Sequence, residues 1–89
     1  MNEQVRLAAD KLLQEFSEYR SEVHSFESGK AIVDIWVGDN FFVFEIHSEN
    51  EIGASMLRPG SKDTMGGSDI ICDSVESAIS FIRRSITES

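Results

Sequence analysis

The chain is predicted to fold as one α+β domain spanning residues 1–89: a helix, a four-stranded antiparallel sheet and a second helix, with both helices on one sheet face. The apolar residues recur at steps of three and four near each end and at steps of two between Glu22 and Leu57. Turn-forming groups divide that middle segment at hairpin spacing. With 89 residues, the chain has room for a single hydrophobic core, which sheet and helices must share.

In the first segment Val5, Ala8, Ala9, Leu12, Leu13, Phe16 and Tyr19 form an apolar stripe separated by charges. This predicts a helix from about Glu3 to Tyr19. Strands are then expected near Glu22–Glu27, Lys30–Val37, Phe41–His47 and Ile52–Leu57. The turns between them fall at Ser28-Gly29, Gly38-Asp39-Asn40 and Glu49-Asn50-Glu51. A two-residue turn at Gly38-Asp39 sets Val37 opposite Asn40, Trp36 opposite Phe41 and Asp34 opposite Val43. A turn one residue later would oppose Asp34 and Glu45, two like charges, so the first register is preferred.

Alternation assigns Val33, Ile35, Val37, Phe42, Phe44, Ile46, Ile52, Ala54 and Met56 to the face beneath the helices. Asp34, Trp36, Phe41, Val43, Glu45, His47, Ser55 and Leu57 fall on the other. Residues 58–69, with Pro59-Gly60 and Gly66-Gly67, are expected to form a long loop. Ile70-Ile71-Cys72 is a short apolar approach to the second helix, from about Ser74 to Ile86. Asp73 and Glu76 have the spacing of a capping box, and Val75, Ala78, Ile79, Ile82 and Ile86 supply the buried stripe.

Sixteen acids against eight Lys and Arg leave a net charge of −8. Direct nucleic-acid binding relies on clustered cations and is not expected; an acidic chain attracts a basic partner. The excess is concentrated: between residues 21 and 57, Glu22, Glu27, Asp34, Asp39, Glu45, Glu49 and Glu51 face Lys30 alone. The polar start of the chain has neither a signal-peptide core nor the run of about 20 apolar residues of a membrane span. Its single cysteine, Cys72, has no intrachain partner. A cytoplasmic location is expected, without a membrane partner.

No motif points to catalysis, and no cofactor is expected. Glu45 and His47 share a strand face, and a small hydrolase or metal site could be built around them with Asp34. However, zinc needs three or four converging ligands, and His24, which shares its side with Phe26, is expected on the opposite face. Cys72 lies between apolar residues and a helix cap, a setting typical of core. Gly66-Gly67 lacks the Lys-Ser/Thr end of a phosphate-binding loop. The catalytic and metal-ligand sets are therefore empty.

What remains is the open sheet face. Trp36, Phe41 and Val43 are costly to leave in water unless something covers them. Trp is a preferred interface anchor, and nearby Asp34, Asp39, Glu45 and Glu51 would steer a basic partner. The expected protein-binding set is Asp34, Trp36, Asp39, Phe41, Val43, Glu45, His47 and Glu51. Three occupants fit this face: another protein, a second copy of the chain, or the segment that follows strand four.

Asp39-Asn40-Phe41-Phe42-Val43-Phe44-Glu45-Ile46, Glu51-Ile52-Gly53-Ala54-Ser55, Gly66-Gly67-Ser68-Asp69 and Asp73-Ser74-Val75-Glu76-Ser77-Ala78 resemble small bacterial immunity proteins. These are the cognate inhibitors of polymorphic and contact-dependent growth inhibition toxins. The resemblance covers roughly Ala31 to Ile86. It implies a cytoplasmic protein that binds one toxin domain tightly, often a basic nuclease whose active site it blocks or distorts. An acidic face that imitates nucleic acid is a variant of this reading. The alternative is a small homodimeric structural or regulatory subunit that pairs through the same face.

Overall fold

Helix α1 (Glu3–Glu15) begins where the Asn2 side chain accepts a hydrogen bond from the Val5 amide at 2.8 Å, capping an otherwise unpaired helical N–H. The computed structural model describes residues 2–57 and 70–88; the expected loop, with its paired glycines, lies outside them. The helix stops short of Tyr19. Phe16 leaves helical geometry at φ −118° and ψ 39°, and Tyr19 N–H then bonds the Phe16 carbonyl at 3.1 Å. This tight turn preserves the three-residue spacing of a helix. It keeps the Tyr19 ring against the core and 6.4 Å from that of Phe16, which explains why the apolar stripe outran the helix.

Five strands follow: β1 (Arg20–Ser25), β2 (Ala31–Val37), β3 (Asn40–Ser48), β4 (Glu51–Leu57) and β5 (Ile70–Cys72). They form one antiparallel meander in chain order. The four-strand expectation is corrected by β5, which pairs Ile52 with Cys72, Gly53 with Ile71 and Ala54 with Ile70. Three consecutive apolar residues show no alternation, so strand pairing left no pattern in the sequence.

The preferred β2–β3 register is observed, with Val37 opposite Asn40, Trp36 opposite Phe41 and Asp34 opposite Val43. Gly38 sits at φ 60° while Asp39 keeps a negative φ, the pattern of a type II′ hairpin turn, for which glycine is suited. Between β3 and β4 the register shifts at His47, so that Ser48 faces Glu51 across Glu49-Asn50.

The inward residues of β2, β3 and β4 lie under both helices. Val33, Ile35, Phe42, Phe44, Ile46, Ile52 and Ala54 are fully buried, and Met56 packs at the margin. Val5, Ala8, Ala9 and Leu12 from α1 and Phe16 at its end meet them, together with Val75, Ala78 and Ile82 of α2 (Val75–Glu88). Phe81 sets its ring edge-on to Phe42 and Phe44 at centroid distances of 6.1 and 6.4 Å. The helices are also tied at their surface by Lys11–Glu76 and Glu15–Arg83. Lys11, through its hydrogen bond, holds the Glu76 carboxyl below its usual range. No helix among the described residues is long and apolar enough to cross a membrane.

The cap of α2 differs from the expected Asp73–Glu76 box. Ser74 Oγ accepts from the Ser77 amide at 3.1 Å, Ser77 Oγ donates to Asp73, and Glu76 is engaged by Lys11. Asp73 thus stands one residue before the cap.

Two stability predictions follow from these contacts. Truncating Phe44→Ala is expected to cost about 3–5 kcal/mol, read as a lower midpoint in urea unfolding. Ser74→Ala is expected to cost about 1 kcal/mol and Asp73→Ala less; equal losses in thermal melts would contradict the assigned cap.

Candidate functional site

On the sheet face opposite the helices, residues line up in rows across the strands. Arg20, Trp36, Phe41 and Leu57 are register neighbours in one row; Glu22, Asp34, Val43 and Ser55 form the next. His24, Ile32, Glu45, Gly53 and Ile71 make up the third. The face therefore includes β1 and β5, which sequence reasoning did not place there.

Five of the expected binding residues, Asp34, Trp36, Phe41, Val43 and Glu45, lie together on this surface, half-buried. Trp36 and Phe41, facing one another across β2 and β3, stack at 4.9 Å with an interplanar angle of 23°. The Arg20 guanidinium lies 4.5 Å over the Trp36 ring. The result is a three-tiered platform of cation and rings. Asp39 sits in the adjoining turn, whereas Glu51 begins β4 at the opposite end of the sheet.

His47 occupies the bulge in β3, where the extra residue lets its side chain turn back along the strand. Its Nε2 stands 2.9 Å from Glu45 Oε1, and Lys30 Nζ reaches the same oxygen at 3.2 Å. The Lys30 ammonium also lies 5.6 Å from the Phe26 ring centroid.

The expectation for His24 is overturned: it lies on the same face as Glu45, with Nε2 3.3 Å from Asp34 Oδ2 and 3.9 Å from Glu22 Oε1. The error came from treating Phe26 as an inward anchor. Phe26 falls beyond the end of β1 and is 41% exposed; Ser21, Val23 and Ser25 are the residues of this strand on the helix side, opposite Ile35, Val33 and Ala31. The pairing of His24 with Ile32, two residues from Asp34 on the same side of β2, sets its face, and that pairing left no signal in the sequence.

Asp34 is the most enclosed acid of the face, its side chain only 14% exposed. Burial pushes its carboxyl above the usual range, the His24 imidazole opposes that rise, and Glu22 adds to it. Asp34 and Glu45 are thus engaged within the chain. Around the sheet, Glu27, Asp39, Glu49 and Glu51 make no ion pair among the described residues and lie in or beside the turns.

With both histidines now on one face, their imidazoles still serve separate carboxylates. Among the described residues no three His, Cys, Asp or Glu side chains are grouped to hold a metal ion. Cys72 is 3% exposed, and burial, followed by the neighbouring Asp73 charge, raises its thiol pKa, which favours the protonated form.

Comparison of the chain with protein-family models, with curated proteins and with solved structures finds no match. The functional reading therefore rests on this face alone.

Because the folded carboxyl of Asp34 titrates higher than in the unfolded chain, its favourable contribution is complete below the ordinary value of 3.8 and is lost as pH rises through the folded value. Asp34→Asn removes that loss. Its stability relative to the parent is expected to be greater at pH 7 than at pH 4, measured by urea unfolding at both; an advantage that grows on acidification would contradict the direction.

Proposed function

We propose that this chain is a protein-binding module of the immunity type, which neutralises a basic bacterial toxin domain by docking on it with the open sheet face. The observation that carries the reading is the Arg20–Trp36–Phe41 stack on the sheet surface opposite both helices. A rigid aromatic pair already held in place loses little rotamer freedom on binding, and Trp and Arg are the residue types most often found as interface anchors.

Asp39 beside the stack, and Glu27, Glu49 and Glu51 at the far turns, supply acidic charge with no internal ion pair among the described residues. They would accelerate encounter with a cationic surface. Asp34, Val43, Glu45 and His47 continue this surface along β2 and β3. In this reading the inhibitor acts by occupation of the toxin surface and carries out no chemistry of its own.

The test is titration calorimetry against the toxin domain encoded beside this gene, in low and high salt. Trp36→Ala is expected to weaken binding by about 30-fold, equivalent to about 2 kcal/mol. Adding Glu45→Lys should weaken it further, with a slower on-rate. Binding unchanged in the double variant would count against the face, and absence of any neighbouring toxin that binds would count against the immunity reading.

A further inference from the structure

We propose that β1 is a self-complementary edge through which two copies of the chain join their sheets, antiparallel and centred on Val23. Among the described residues β1 pairs only with β2, and its other side is a row of backbone groups that no described strand pairs. The hairpin chemistry says which groups. The Phe26 amide donates to the Lys30 carbonyl at 3.1 Å, and hydrogen-bonding direction alternates along a strand. His24, Glu22 and Arg20 therefore turn their peptide groups toward β2, while those of Ser25, Val23 and Ser21 point outward. The two-residue turn at Gly38-Asp39 requires the same parity, since it directs Val37, Ile35, Val33 and Ala31 toward β3.

A two-fold axis through Val23 sets Val23 opposite itself and Ser21 opposite Ser25, so the outward peptide groups meet in a continuous ladder. The side chains agree with this register. On the open face Glu22 falls opposite His24 of the second copy, twice over, and Arg20 falls opposite Phe26. On the helix side Val23, 37% exposed because α1 packs over β2 and β3, gains an apolar neighbour. Shifting the axis to Glu22 would oppose two carboxylates, and shifting it to His24 would oppose two imidazoles. Registers centred between residues would put the helices of the two copies on opposite sides of the joined sheet. The sequence of β1 thus favours one pairing with itself.

This association runs along the β1 edge and does not use Trp36 or Phe41; it shares with the proposed toxin-binding face only the β1 row of Arg20, Glu22 and His24. A ladder of seven residues, 20–26 in each copy, lies at the small end of stable interfaces, giving a dimer with a dissociation constant of about 10 μM to 1 mM.

Sedimentation equilibrium from about 10 μM to 1 mM should show a monomer–dimer equilibrium. Val23→Pro removes an outward N–H that β2 does not use, and should weaken the dimer at least about tenfold. Should that variant lose its native circular dichroism, Glu22→Lys provides the second arm: it should weaken the dimer, and Glu22→Lys with His24→Glu should restore it. A chain that stays monomeric throughout would overturn the proposal. So would a dimer equally strong in Val23→Pro, or a charge swap that restores nothing.

Discussion

The positive φ of Gly38 lets Val37 and Asn40 close opposite one another, and from that pairing β2 and β3 fall into the only register in which Trp36 meets Phe41. Closing the hairpin one residue later would leave the same residues on the same faces but set Trp36 against Val43 and Asp34 against Glu45. Burial of Phe42 and Phe44 against Phe81 is indifferent to that choice; the aromatic platform is not. A turn of two residues therefore decides the chemistry of a surface it does not itself occupy.

The same register arranges the charges. With Asp34 opposite Glu22 on one side and Val43 on the other, its carboxyl is shielded from water and meets the His24 imidazole. Glu45 meets Lys30 and His47. An acid on a partly dry sheet surface needs such partners, because desolvation disfavours the ionised form. Consequently the centre of the face is nearly self-compensated, and the acidic excess is displaced to the turns, where Glu27, Asp39, Glu49 and Glu51 remain hydrated.

Much of this is legible in the sequence. The core faces of β2, β3 and β4 and the buried stripes of both helices are written in periodicity, which is local and repeats, and the hairpin register in the like charges, Asp34 and Glu45, that the alternative turn would oppose. The departures lie where spacing is ambiguous. A turn over Phe16–Tyr19 has the same three-residue step as a helix, Ile70-Ile71-Cys72 is too short to alternate, and Phe26 lies beyond the strand it was used to orient. Asp73 and Ser74 both carry a capping oxygen, and only the backbone path selects Ser74.

The sequence by itself determined that an α+β domain would cover one sheet face and leave Trp36, Phe41 and Val43 on the other, because alternation of two and spacing of 3.6 are properties of neighbouring residues. The tertiary structure decided that Arg20, His24 and Ile71 share that open face, and that Asp34 and Glu45 have partners. Those facts depend on which strands lie side by side, and pairing between residues far apart in the chain is set by register and packing, on which local pattern is silent.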